Sequence, residues 1–281
     1  METIASILSL REHLGSKASV ALVPTMGNLH DGHMALMKLA RAHASTVVAS
    51  IFVNRLQFGP AEDFDRYPRT LTEDCAKLAD AGVDIVFTPD ESELYPAPQQ
   101  VFIEPPPIST DLCGAFRPGH FRGVATVVTK LFNIVQPQFA VFGKKDYQQL
   151  HVIRALTAQL NLPIEILAGE TLRADDGLAL SSRNRYLQAT DRAEASRLFR
   201  VLQGIKAAVA AGAADLAELE NNAKIDLDTH VWRAEYVAVR ERNSLGFAGA
   251  EDAQLVALAA AWIGNTRLID NVEIDRGAGA V

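Results

Sequence analysis

Two histidines, His30 and His33, lie where an apolar run gives way to a periodic one. The run Val20–Val23 is typical of a buried parallel strand, and the spacing of apolar residues over 34–40 predicts a helix. The turn between them, Pro24–His33, therefore joins a strand to a helix, which is where open α/β sheets bind ligands. A helix N-terminus offers unpaired N–H groups and a partial positive charge, so this turn predicts a phosphate site.

Two other interpretations of this histidine pair stay open. A metal site would need more ligands, and the pair has neither a nearby cysteine nor a His-Glu-x-x-His pattern. The imidazoles could also cap and pack the turn. Phosphate contact is favoured because His30 and His33 lie one helical turn apart on the same face.

Polar residues follow two further predicted strands. Asn54 and Gln57 come after the β-branched run Thr46–Val53, on the ligand side of the predicted sheet. Lys144–Asp146 come after Phe139–Phe142, where a lysine can reach a phosphate and an aspartate can hold a sugar hydroxyl. A loop cap and a solvated basic turn are the respective alternatives.

Two basic segments complete the set of candidates. Ser181 and Ser182 stand beside Arg183 and Arg185, and because guanidinium forks match phosphate oxygens they could form a phosphate clamp. An ordinary turn is the alternative. The aromatic and basic loop Phe116–Gly123 is typical of a lid or a substrate wall.

The elements that must position these residues predict an α/β fold. We expect a Rossmann-like, doubly wound parallel sheet in residues 1–171 and a smaller α+β C-terminal domain in residues 172–281. Ile4, Ile7, Leu8 and Leu14, followed by Gly15, predict a short opening helix before the first strand. The pattern also predicts a capping box at Thr70–Glu73 and a short strand over 101–103. Helices are predicted over 191–211 and 215–223, and strands over 83–87, 164–167, 236–240, 255–259 and 266–270.

Composition excludes several classes of protein. The net charge of −7 disfavours a nucleic-acid partner. The longest apolar run, Leu255–Ile263, is too short for a membrane span, and the start lacks the basic and apolar regions of a signal peptide. Two cysteines without a spacing motif favour a reduced, cytoplasmic setting.

Six blocks carry a resemblance to a known family. The His-x-Gly-His turn alone is similar to the signature of the nucleotidylyl-transferase superfamily. With the other five blocks, in this order and at this length, the chain resembles the pantoate–β-alanine ligase family nearly end to end. The blocks are Pro24–His33, Ser50–Phe58, Tyr67–Thr70, Gly119–Gly123, Gly143–Gln149 and Leu180–Leu187.

The resemblance implies an enzyme that joins pantoate to β-alanine. ATP would be the co-substrate with Mg²⁺, a pantoyl adenylate would form, and AMP and pyrophosphate would be released. A homodimer is a further family expectation. Because the second step of this reaction must exclude water, we also hypothesise that the C-terminal domain closes over the site as a lid. The rival hypotheses are another nucleotidylyltransferase of the same fold and a non-catalytic nucleotide-sensing module.

The resemblance also implies roles for single residues. His33, His30, Lys145 and Arg183 would be catalytic, with His33 as the proton donor. Gln57, Gln149 and His120 would bind pantoate, and Gln57 would also bind β-alanine. The implied ATP-binding residues are Met26, Gly27, Asn28, Leu29, His30, Asp31, Gly32, His33, Gly143, Lys144, Lys145, Asp146, Leu172, Leu180, Ser181, Ser182 and Arg183.

Glu73 and Asp74 stand where the family offers acidic residues near the metal. A charged first helical turn is the alternative interpretation of this pair. Three residues depart from the family pattern, and they are Arg55, Lys77 and Lys144.

Overall fold

The structure is a computed structural model and describes residues 1–60 and 62–276. Two compact units are present. Unit 1 consists of Met1–Lys144 and Val152–Glu170, and unit 2 consists of Lys145–His151 and Thr171–Val281, described to residue 276. Unit 2 thus takes in the segment Lys145–His151 besides the C-terminal part of the chain, whereas the predicted boundary at residue 171 divides the chain once.

Strands and helices largely alternate along the sequence of unit 1, whereas in the C-terminal part of unit 2 the helices precede the strands. The strands are β1 (Glu2–Ile4), β2 (Val20–Thr25), β3 (Thr46–Ile51), β4 (Ile85–Phe87), β5 (Phe139–Gly143), β6 (Glu165–Gly169), β7 (Trp232–Glu241), β8 (Gln254–Ile263) and β9 (Thr266–Asp275). The helices are α1 (Ile7–Leu14), α2 (Asp31–His43), α3 (Leu71–Asp80), α4 (Glu91–Leu94), α5 (Cys113–Phe116), α6 (His120–Val135), α7 (Tyr147–Gln159), α8 (Ala189–Glu194), α9 (Arg197–Ala210) and α10 (Leu216–Asp228).

Unit 1 is built on a six-stranded sheet with the order β1-β4-β3-β2-β5-β6, in which every pair is parallel. From β2 the chain first adds strands on one side and then adds β5 and β6 on the other. The order therefore reverses between β2 and β5, and such a switch point opens a crevice at the carboxyl ends of the two strands. The predicted Rossmann-like, doubly wound sheet is confirmed.

Burial explains why β2 reads as a continuous apolar run. Ala21, Leu22 and Val23 are completely buried. Ala21 and Val23 pack with Met37 of α2 and Leu78 of α3. A strand buried on both faces needs no polar alternation, so its pattern is uninterrupted.

Unit 2 contains a three-stranded antiparallel sheet in the order β7-β8-β9. Helices α9 and α10 pack on it, with Leu202 and Leu227 completely buried against the apolar face of the strands. The predicted smaller α+β unit is confirmed. Throughout the part of the chain that the structure describes, no helix has the length and apolarity to cross a membrane.

The predicted opening helix is confirmed as α1 (Ile7–Leu14), although it is preceded by strand β1, which pairs with β4 and takes in Ile4. Three local predictions are wrong. Residues 101–103 form no strand, because the Ile103 amide bonds to the Thr126 hydroxyl instead of a neighbouring strand. Thr70 makes no side-chain cap and donates to Asp74. The helix predicted over 191–211 is two helices, α8 and α9.

Candidate active site

The turn after β2 leaves the strand through two residues in the left-handed region of backbone conformation. Gly27 has φ 82° and Asn28 has φ 53°. A Cβ on Gly27 would lie 3.0 Å from Asp74 Oδ2 and 3.1 Å from Ile51 Cγ2, so glycine is required here by both backbone and space. Met26–His33 is called the signature turn below.

Side chains of the protein accept hydrogen bonds from four backbone amides of the signature turn. Asp74 accepts from the amides of Asn28 at 2.8 Å and Leu29 at 2.7 Å. His33 Nδ1 accepts from the His30 amide at 3.3 Å, and His30 Nδ1 accepts from the Gly32 amide at 3.2 Å. The expectation of unpaired N–H groups for phosphate is therefore wrong for these four amides.

The same contacts give the two histidines a defined chemical form. His30 is the N-cap of α2, and the ring centroids of His30 and His33 are 4.1 Å apart. Because Nδ1 of each ring accepts a backbone hydrogen bond, a neutral ring carries its hydrogen on Nε2. Capping and phosphate contact are thus compatible, since they use different nitrogens of the same ring.

Gln57 is held against the signature turn by a chain of hydrogen bonds. The Tyr95 hydroxyl donates to Asn54 Oδ1 at 2.8 Å, and Asn54 Nδ2 donates to Gln57 Oε1 at 3.1 Å. Gln57 Nε2 then donates to Met26 Sδ at 3.2 Å. Burial, followed by the charge of Glu91, raises the pKa of Tyr95, so the hydroxyl stays a donor.

His120 lies on the other side of Gln57. Its Nδ1 is 2.8 Å from the Gln57 carbonyl oxygen, and its Nε2 is 3.0 Å from Arg117 Nη1. Because a guanidinium cannot accept, Nε2 accepts and Nδ1–H donates to Gln57. Arg117 also makes a two-pronged ion pair with Glu62, with both N–O distances at 2.7 Å.

Sequence reasoning missed Glu62, Tyr95 and the role of Arg117. Burial by itself would raise the pKa of Glu62, but the hydrogen bond and charge of Arg117 outweigh it and hold the pKa below its usual value. Arg117 lies in a loop rich in aromatic and glycine residues, and this composition indicated a lid or a substrate wall. Nothing local pointed to Glu62 as its partner.

Gly123 of α6 sits against the short 3₁₀ turn Arg55–Gln57 that carries Gln57. A Cβ at this position would lie 2.1 Å from the Leu56 carbonyl oxygen and 2.7 Å from the Gln57 amide nitrogen. The backbones of the helix and the turn are therefore in direct contact. The lack of a side chain at Gly123 allows this close approach and so determines the position of Gln57.

Three candidates at the end of β5 divide between the units. Gly143 and Lys144 belong to unit 1, where Lys144 Nζ is 2.6 Å from Glu170 Oε1. Lys145 belongs to unit 2, and its carbonyl oxygen accepts from Asn271 Nδ2 of β9 at 3.0 Å. Asp146 Oδ2 lies 3.9 Å from Lys145 Nζ.

The predicted clamp segment lies in unit 2 with Lys145. The Ser181 hydroxyl accepts from the Arg183 amide at 3.3 Å and caps the 3₁₀ helix Ser182–Tyr186, which packs on β9. The Leu180 amide donates to Leu172 at 2.9 Å and closes the loop before the clamp. Gln149 also belongs to unit 2, whereas Gln57, His120 and the histidine pair belong to unit 1.

The described residues do not fit a magnesium ion held by protein carboxylates. Asp74 is 1% exposed and its oxygens accept from Asn28, Leu29 and Thr70, while Glu73 is exposed beside it. Over residues 1–60 and 62–276 no group of three or more His, Cys, Asp or Glu side chains is placed to hold a metal ion.

The sheet order and the capped His-x-Gly-His turn at its switch point define an α/β protein of the nucleotidylyl-transferase type. Comparisons with known proteins narrow this class. The model of the pantoate-beta-alanine ligase family matches residues 1–273, and the chain belongs to this family of enzymes.

Individual relatives agree with that assignment. The chain is 60% identical over 274 residues to the pantothenate synthetase of Nitrosospira multiformis, and this match covers 98% of each chain. The solved pantothenate synthetase of Thermus thermophilus has a TM-score of 0.92 at 43% identity, covering 97% of this chain and 99% of that one. The pantoate-beta-alanine ligase of Francisella tularensis, solved with beta-gamma ATP and beta-alanine, has a TM-score of 0.82 at 33% identity, covering 99% of both chains.

The contact between Gly123 and the turn at Gln57 predicts that Gly123→Ala damages the enzyme. The added methyl group overlaps the backbone of Leu56, so we expect a loss of about 1–3 kcal/mol of unfolding free energy together with lower activity. Urea unfolding and steady-state kinetics measure the two effects. Gly204→Ala is the matched control, because it lies in α9 with nothing within 4 Å of the added Cβ. Equal effects of the two substitutions would contradict this role of Gly123.

The Glu62–Arg117 pair predicts a pH dependence of stability. The pKa of Glu62 is lowered in the folded state, so its stabilising contribution is present above the unfolded pKa of about 4.5. It is lost as the pH falls through the lower folded pKa. We expect the unfolding free energy of the wild type to fall more steeply in this range than that of Glu62→Gln, measured by urea unfolding between pH 7 and about 3. The exposed Asp65→Asn should follow the wild type, and a Glu62→Gln curve parallel to the wild type would refute the assignment.

Proposed function

We propose that the protein condenses pantoate with β-alanine, consuming ATP and releasing AMP and pyrophosphate through a pantoyl adenylate. The observation that carries this proposal is the histidine-capped turn at the switch point, with the amide of Gln57 held 3.2 Å from Met26 Sδ. The Francisella tularensis relative, solved with beta-gamma ATP and beta-alanine, supports ATP and β-alanine as ligands here.

In the first step an oxygen of the pantoate carboxylate attacks the α-phosphorus of ATP, and the bond to pyrophosphate breaks. Negative charge develops on the transferred group and on the leaving pyrophosphate, so positioned donors contribute more than a strong base. His30 and His33 supply Nε2–H donors in this proposal, with His33 as the proton donor. Their Nδ1 contacts with the backbone support a fixed direction for both rings.

Neutral side chains suit the pantoate site. We assign Gln57, Gln149 and His120 to pantoate, and Gln57 also to β-alanine. An amide can bond pantoate hydroxyl groups in either direction without competing with its carboxylate. The contacts of Gln57 with Asn54 and His120 support this assignment, because they fix the orientation of Gln57 before a substrate arrives.

Cationic and hydroxyl groups of unit 2 are assigned to the triphosphate, and these are Lys145, Ser181, Ser182 and Arg183. Their common attachment to β9 supports a joint role, since Lys145 bonds to Asn271 and the 3₁₀ helix after Ser181 packs on the same strand. The remaining ATP contacts proposed are the signature turn (Met26, Gly27, Asn28, Leu29, Asp31 and Gly32), Gly143, Lys144, Asp146, Leu172 and Leu180.

In the second step the neutral amine of β-alanine attacks the acyl carbon of the adenylate. The new carbon–nitrogen bond forms, the bond to the AMP oxygen breaks, and the amine loses a proton. Water must be excluded, because it would hydrolyse the activated acid. The lid role of residues 172–281 would serve this need and stays a prediction.

Three further features stay predictions for this chain. Magnesium would bind to the ATP phosphates and to water, in keeping with its preference for few carboxylates. The homodimer and the cytoplasmic location follow from the family resemblance and from the cysteine pattern respectively.

Pantoate-dependent exchange of labelled pyrophosphate into ATP tests the proposed function, since it requires reversible activation of a carboxylate. We expect exchange with pantoate and none without it. In the full reaction, free AMP should appear in step with pantothenate. A product that keeps the nucleotide would favour the rival nucleotidylyltransferase, and the absence of both activities would favour a sensing module.

His33→Ala should lower the exchange rate by about two to three orders of magnitude, the scale of one lost transition-state donor. His43→Ala, at the exposed end of the same helix, serves as the control and should stay near the wild-type rate. Exchange at a normal rate in His33→Ala would remove the proposed catalytic role.

A further inference from the structure

Two side chains of helix α3 bond the backbone N–H and the backbone C=O of Leu29 in the signature turn. Asp74 Oδ1 accepts from the Leu29 amide at 2.7 Å, and Lys77 Nζ donates to the Leu29 carbonyl oxygen at 2.6 Å. Asp74 and Lys77 are three positions apart and so lie on the same face of the helix. Leu29 is 1% exposed, so these partners, and not water, determine how its backbone is oriented.

Three protein donors engage both oxygens of the Asp74 carboxylate. Its Oδ2 accepts from the Asn28 amide at 2.8 Å and from the Thr70 hydroxyl at 3.0 Å, in addition to the Leu29 contact on Oδ1. A carboxylate that ligates magnesium directs an oxygen at the ion, at about 2.0–2.1 Å. The Asp74 environment is that of an acceptor for backbone amides, which is a different task.

The signature turn depends on such an acceptor. Gly27 and Asn28 both have positive φ, and a non-glycine residue persists there only where its surroundings determine the conformation. Asp74 Oδ2 also occupies the space 3.0 Å from where a Cβ of Gly27 would stand. The carboxylate thus lies next to the position that a Cβ of Gly27 would occupy. It also accepts hydrogen bonds from the amides of the two residues that follow Gly27.

We propose that Asp74 and Lys77 are positioning residues that set the place of His30 and His33 for ATP, and that Asp74 is not a magnesium ligand. Leu29 is bonded to α3 on both sides and directly precedes His30, the N-cap of α2. A displacement of Leu29 therefore moves the two imidazoles together. The inference rests on the proposed ATP-dependent function for its kinetic readout.

Asp74→Asn tests the carboxylate. The substitution leaves one acceptor oxygen and directs an NH₂ group at a backbone amide, so one of the two amides loses its partner. We expect kcat/KM for ATP to fall by about 100-fold, the scale of a reacting group displaced by about 1 Å. The KM for β-alanine and the magnesium concentration for half-maximal rate should stay unchanged.

Lys77→Met tests the same turn without placing a side-chain NH₂ group against a backbone N–H, as Asp74→Asn does. It keeps the apolar stem and removes the donor to Leu29, so we expect a loss of about tenfold in kcat/KM for ATP. Asp80→Asn, an exposed acid on the same helix, is the control and should match the wild type. Thermal unfolding of each variant reports whether it is folded.

Three kinetic outcomes would overturn the proposal. They are a raised magnesium requirement in Asp74→Asn, an unchanged kcat/KM for ATP in both variants, and a loss shared equally by ATP and β-alanine. Calorimetric titration of each variant with ATP alone separates this inference from the proposed function. Weaker ATP binding in Asp74→Asn and Lys77→Met than in Asp80→Asn supports the positioning role even where the wild type lacks pantoate-dependent exchange, and equal ATP binding in all three refutes it.

Discussion

The need to partner buried backbone N–H groups governs the construction of this site. A turn that leaves a central strand and enters a helix exposes several amides to an apolar interior, where an unpartnered donor costs about 1–3 kcal/mol. Here Asp74 takes the amides of Asn28 and Leu29, and the two imidazoles take those of His30 and Gly32. These four amides are thereby satisfied inside the protein, and the same contacts fix the direction of both imidazole rings.

Elements that depend on local pattern were predictable from the sequence. The buried parallel strands at Val20 and Thr46, and the strand-turn-helix unit around His30, follow from apolar periodicity and from glycine at a tight turn. Strand β1 was not predictable, because three residues carry too little pattern and their pairing with β4 joins segments about eighty positions apart. The extended segment at 101–103 has strand-like composition, but its amide partner is a threonine side chain on α6.

Within the candidate site, residue types were predictable and their partners were not. The histidines, Gln57 and the arginine-bearing loop could be chosen by chemistry, whereas Glu62 and Tyr95 are ordinary in sequence and matter only through contacts with Arg117 and Asn54. Asp74 illustrates the same limit. Its position in a first helical turn predicts a capping role, and the family resemblance implies a place near the metal. Only the fold reveals that a neighbouring turn presents two amides to it.

The tautomer of the histidine pair explains why cationic residues are needed elsewhere. A hydrogen on Nδ1 of His30 or His33 would face the amide that this nitrogen accepts from, so the cap holds only with neutral rings. Neutral imidazoles donate hydrogen bonds but do not offset the charge of a triphosphate. In the proposed function that charge falls to Lys145 and Arg183, which belong to the other unit and are anchored through β9. The need for separate cationic residues in the proposed function thus follows from how the turn after β2 satisfies its own backbone.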